Sequence, residues 1–120
     1  PVVTFYIKGR RCNLLLDTGS DLSYIDINYL NYNHIGNPAG KTIKSIGVEG
    51  TDRTSELHKL EITYRDNVFV EDFYASDFSA AFGKVKSQTG VTIHGILGSN
   101  FLSAYKYIID FKEFVAYSKK

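Results

Sequence analysis

Leu14-Leu15-Leu16-Asp17-Thr18-Gly19-Ser20 sets an acid directly behind three leucines. A continuous apolar run of this kind suits a strand buried on both faces. A carboxylate at the end of such a strand is costly unless something holds its charge. The residues that follow supply holders. Thr18 and Ser20 carry hydroxyls, and Gly19 lets its amide approach closely and permits unusual backbone angles. An acid ringed by donors at the edge of a core is either a structural cap or a functional group. Physics alone puts the structural reading ahead.

The flanking sequence reads as short strands. Val2 to Ile7 is rich in β formers and ends at Lys8-Gly9, a turn signal; Cys12 to Leu16 follows. From Leu57 to Tyr64 apolar and polar residues alternate, Arg65-Asp66-Asn67 is a turn, and Val68 to Ala75 is a second β-rich run, so the two make a long hairpin. Ile93 to Leu97 is a further strand, and Tyr107 to Phe111 with Phe114 to Tyr117 form a last hairpin around Lys112-Glu113. Helical signal is sparse: one or two turns over Ile27 to Tyr32, and a short helix over Asn100 to Tyr105 with Ser99 as N-cap. The Ser-, Ala-, Gly- and Lys-rich stretch Ser76 to Thr92 reads as a loop with at most a turn of helix. Many short strands, Gly-rich turns and few helices predict an all-β barrel or sandwich. Nothing resembles an interdomain linker, so residues 1–120 are read as one domain.

Composition narrows the function classes. The 120 residues are 43% hydrophobic and 22% charged, with nine Tyr and eight Phe, enough for an ordinary core. A formal charge of +1 gives no reason to expect a nucleic-acid or anionic-membrane partner, and Arg10-Arg11 and Lys119-Lys120 read as solvated surface. One cysteine, Cys12, excludes an internal disulfide framework and a cysteine zinc site. It fits a reducing compartment such as the cytoplasm without assigning one. No apolar run approaches the roughly 18 residues that cross a bilayer, and no signal segment opens the chain. The chain starts at Pro1 rather than Met, which reads as a processed product or a domain cut from something longer.

An internal echo marks the second half. Gly98-Ser99-Asn100-Phe101-Leu102 repeats the character of Gly19-Ser20-Asp21-Leu22, and each follows an apolar strand, Ile96-Leu97 in the one case and Leu14-Leu15-Leu16 in the other. The echo describes two half-units, each a strand breaking at Gly, of which the first alone carries an acid before its Gly.

Leu15-Leu16-Asp17-Thr18-Gly19-Ser20 resembles the active-site signature of aspartic proteases, and Gly95-Ile96-Leu97-Gly98-Ser99-Asn100-Phe101-Leu102 resembles the family's second motif. Between them Ser45-Ile46-Gly47-Val48-Glu49-Gly50, ahead of the long hairpin, resembles the flap. Order and separation are similar to those of the single-domain, retropepsin-like branch, over Val2 to Tyr117. The resemblance implies an all-β, closed barrel-like acid protease fold, one lobe per chain, with one short helix in the C-terminal half and a flap hairpin. It departs from the viral pattern at Ser99, where viral members often carry an Arg that pairs with an acid like Asp21. It also departs in a less glycine-rich flap and a longer Ser76 to Thr92 loop, which look more like cellular or bacterial relatives.

What the resemblance implies chemically is hydrolysis of a peptide or protein substrate by a water activated between two aspartates, with no metal, cofactor or covalent intermediate. The chain holds one Asp-Thr-Gly, so the second Asp17 would come from an identical chain across a two-fold axis, an obligate homodimer. Asp17 would be catalytic. Thr18 would bond across the axis, Gly19 would support the turn, and Ser20 would reach the outer oxygen of Asp17 and push activity toward acid. Ile46, Gly47, Val48, Glu49 and Gly50 would close over an extended peptide. Asp21, Leu22, His94 and Ile96 would line subsites, and Gly95, Leu97, Gly98 and Asn100 form the second motif. Plain packing competes for each of these. The rival readings are a catalytically silent peptide-binding or dimerisation module on this fold, and one lobe of a longer two-lobe protease.

Other constellations are weaker. His34, His58 and His94 lack metal-ligand spacing. Ser20 lacks the Gly-x-Ser-x-Gly of a hydrolase nucleophile. Glu71, Asp72 and Asp77 read as a solvated acidic edge, and Tyr24, Tyr29 and Tyr32 as core and interface filler.

Overall fold

The computed structural model describes residues 2–36, 38–46 and 52–105, with backbone only for 38–46 and 52–54. Its first element, β1 (Val2–Ile7), pairs antiparallel with β2 (Arg10–Leu16), Ile7 facing Arg10 across a two-residue turn. Lys8 and Gly9 both sit at positive φ, 50° and 77°, as the tight primed hairpin turn demands. After β2 come β3 (Ser23–Asp26), α1 (Ile27–Tyr32), β4 (Pro38–Ile46), β5 (Asp52–Tyr64), β6 (Asn67–Ser76), α2 (Ser79–Thr89), β7 (Gly95–Leu97) and α3 (Ser99–Ala104).

The strands run in the order β1-β2-β7-β3-β6-β5-β4, and β1 also pairs with β5 where Tyr6 faces Thr63. That pairing closes six strands into a barrel, and β4 extends beyond it from β5. The all-β closed barrel expected from the sequence is thus the fold observed. The β5–β6 hairpin spans Glu56 to Ala75 and turns at Arg65, whose φ is 54°.

Phe5, Ile7, Cys12, Leu14, Ile25, Leu30, Ile62, Phe69, Phe73, Leu97 and Phe101 fill the interior, all but inaccessible. Phe101 meets Phe5 and Phe69 edge-on, at centroid separations of 6.3 and 5.6 Å. Burying each such side chain contributes about 1.5–3 kcal/mol. α3 therefore plugs the barrel through Phe101.

Four expectations need correction. The leucine run is not buried on both faces: Leu14 is fully buried, whereas Leu15 and Leu16 are half-buried, because strand alternation turns Leu15 to the outer face. Ser76 to Thr92 is not a loop but contains the eleven-residue α2. Its Ala80, Ala81 and lysines are good helix formers, and Gly90 ends it in the left-handed region at φ 76°. Among the described residues the C-terminal half thus holds two helices, α2 and α3, rather than one. Ser99 does not cap α3: Gly98 takes that position and no side chain bonds there. The hairpin expected over Tyr107 to Tyr117 lies outside the described residues. Among the described residues, no helix is long and apolar enough to cross a membrane.

Candidate active site

β2 and β7 run parallel, Leu14 facing Gly95, Leu15 facing Ile96 and Leu16 facing Leu97. The two echoing half-units therefore leave the sheet at the same edge. The Asp17 amide donates to the Leu97 carbonyl at 3.0 Å, and the Ser99 amide donates to the Ser20 carbonyl at 2.7 Å. The loops pass so closely that a Cβ on Gly98 would collide with the carbonyl oxygens of Leu22 and Ser20. Only glycine fits that crossing.

Asp17 stands at this crossing, half-buried, with Thr18 and Gly19 exposed beside it. Its Oδ1 accepts from the Gly19 amide at 2.9 Å, and its carbonyl accepts from the Ser20 amide at 3.2 Å. Ser20 differs from expectation. Its hydroxyl donates to the Leu22 carbonyl at 2.7 Å rather than to the Asp17 carboxylate, because a tight turn brings its own backbone nearer than the acid. The support that Ser20 was to give the anion falls to the Gly19 amide in this chain.

Below the crossing lies a polar cluster. Ser23, fully buried, receives the Gly98 amide at 3.1 Å and donates to Glu71 Oε2 at 2.9 Å, with Asn100 Oδ1 at 3.3 Å. Glu71 Oε1 accepts from the Asp72 amide at 3.0 Å. Burial raises the Glu71 carboxyl above its ordinary value, against the hydrogen bond from Ser23. Glu71 is thus no solvated edge residue; it anchors the second motif from beneath. The sequence reading does not single out Ser23 and places Glu71 on a solvated edge, and their separation of 48 residues leaves no local signal.

Ile96 pairs with Leu15, two residues before the acid. Leu22 is half-buried and Asp21 exposed on the same loop. His94 is elsewhere. Its Nδ1 accepts from the Asn13 amide at 2.9 Å and its ring packs 4.6 Å from that of Tyr29. It faces a cavity of about 390 Å³ shared with Arg10, Arg11 and Tyr32, which does not include Asp17. Burial lowers the His94 pKa, and the neutral ring keeps Nδ1 as acceptor. Of the proposed flap, Ile46 ends β4 opposite Asp52, which fits a hairpin, while Gly47, Val48, Glu49 and Gly50 lie outside the described residues.

The family model described as aspartyl protease matches residues 3–101, a span that holds the Asp17 turn, both loops of the crossing and Phe101. The chain belongs to the aspartyl protease family. Among solved structures, the chain is similar to the EIAV protease complexed with the inhibitor HBY-793, at 19% identity, 87% coverage of this chain, 86% of that one and a TM-score of 0.58. It is also similar to the retroviral protease-like domain of Ddi1 from Leishmania major, at 12% identity, 88% and 76% coverage and a TM-score of 0.58. A search among curated proteins finds no match. At such identities the likeness is one of fold, and this member of the aspartyl protease family has the retroviral protease fold.

Proposed function

We propose that the chain is an aspartic endopeptidase whose site forms from two copies of Asp17 across a homodimer. The observation that carries this reading is that the chain offers one Asp-Thr-Gly, held at the loop crossing with Asp17 half-buried and Thr18 and Gly19 exposed. Two carboxylates about 3 Å apart repel by roughly 5–6 kcal/mol at an effective dielectric near 20. Repulsion of that size is relieved when the two acids share one proton.

The ionised Asp17 accepts a proton from a water lying between the two acids. The water attacks the peptide carbonyl carbon, and the protonated Asp17 of the other chain donates toward the carbonyl oxygen. The proton taken from water then passes to the leaving nitrogen as the C–N bond breaks, and the other Asp17 takes its proton back from the gem-diol hydroxyl as the carbonyl re-forms. Each Gly19 amide holds its carboxylate in place through the cycle. Thr18 bonds across the axis, Leu15 and Ile96 line the site, and residues 46–50 close over the peptide as an added strand. Residues 1–120 act as one protease domain.

The test is Asp17→Asn against a mixed peptide library. Cleavage disappears while the circular dichroism spectrum is retained; unchanged cleavage ends the proposal.

A further inference from the structure

Directly paired residues on neighbouring strands share one face of a sheet. One such row crosses four strands: Leu15 faces Ile96, Ile96 faces Tyr24, and Tyr24 faces Tyr74. The row behind it, Leu14, Gly95, Ile25 and Ala75, is buried inside the barrel. The outer row is half-buried, and every member is apolar or aromatic, where a solvated face would carry polar residues. Asp17, two residues past Leu15, belongs to this face by strand alternation.

The row continues off the sheet. Tyr24 lies 6.2 Å from Tyr74 and meets Phe78 edge-on at 5.9 Å, and Phe82 stacks on Phe78 at 5.2 Å with ring planes 21° apart. Phe82 belongs to α2, a helix none of whose residues is buried. The ladder thus joins α2, through its half-buried Phe82, to the face holding Asp17.

We propose that Tyr24, Tyr74, Phe78 and Phe82 form a subsite for an aromatic side chain of the peptide substrate, with α2 supplying Phe82 as its outer wall. This rests on the protease reading above. Offset and edge-on partners for a further ring are what the ladder offers. Tyr24 stands two strands from Leu15, about 10 Å at ~4.8 Å per strand, which extended peptide spans in about three residues at ~3.3 Å each. The selected residue therefore lies about three positions from the scissile bond, and the two-fold axis repeats the subsite on the other side.

The experiment compares extended peptides with Phe or Ala at that position, in two readouts. One is kcat/KM for the wild-type chain; the other is the affinity of Asp17→Asn for the same peptides, measured by calorimetry. Phe is preferred about tenfold in both, the preference falls below about twofold in Phe82→Ala, and Phe82→Tyr restores it. No preference for Phe in either readout, or one untouched by Phe82→Ala, overturns the subsite. A preference in binding with no cleavage by the wild-type chain upholds the subsite and sinks the protease reading instead.

Discussion

The amide of Asp17 donates to the carbonyl of Leu97 at 3.0 Å, tying the acid to the last residue of β7. The bond extends the parallel β2–β7 ladder by one step past its paired residues. The acid thereby inherits the rigidity of a barrel strand, and its turn is held on the far side by the Ser99 bond to Ser20. A site on strands is more precisely held than one on loops alone.

The crossing depends on Gly98. Gly98→Ala puts a methyl against two backbone oxygens, Leu22 O and Ser20 O, and neither moves without moving the Asp17 turn. A loss of about 1–3 kcal/mol or more is expected in urea unfolding, with loss of cleavage. Gly83→Ala in α2 meets open space and gains about 0.5–1 kcal/mol. Equal effects at the two sites would contradict the crossing.

Glu71 gives a pH signature. Its folded pKa is raised above the ordinary 4.5, so the folded chain binds more protons than the unfolded one between the two values. Its favourable contribution is full below 4.5 and is lost as pH rises through the folded value. Glu71→Gln keeps an acceptor for the Asp72 amide without the buried charge. The variant therefore gains on the wild type as pH rises from 4 and levels off above the folded pKa, as urea midpoints at successive pH values will report. A gap that widens toward acid would contradict the burial.

Cys12 is fully buried, and burial pushes its thiol up to about 12, against the hydrogen bond of Tyr29. Thiolate is the reactive form. The native chain resists iodoacetamide at pH 8 over hours, and the thiol reacts within minutes in denaturant. Fast labelling of the native chain would place Cys12 outside the barrel.

Where a pattern is local, the sequence carries it. Lys8-Gly9 marks the first turn and the alternation from Leu57 marks the second hairpin, and both stand where expected. The acid at the end of β2 is legible because a charge behind three leucines is physically odd. β3 is missed because four mixed residues, Ser23 to Asp26, carry too little periodicity, and β4 because Pro38 and Gly40 interrupt it. α2 lacks an apolar stripe to reveal it, since no residue of it is buried. Ser23 and Glu71, and the row from Leu15 to Tyr74, exist only through pairings between strands distant in sequence, so no window along the chain shows them.

The most direct test of the shared site mixes chains. Wild type and Asp17→Asn are unfolded together, refolded in equal amounts, and assayed at fixed total chain concentration, well above that at which wild-type activity per chain falls on dilution. If each dimer needs both aspartates, random pairing leaves about one quarter of the all-wild-type activity. Activity of one half, linear in the wild-type fraction, would mean that each chain works with its own acid alone.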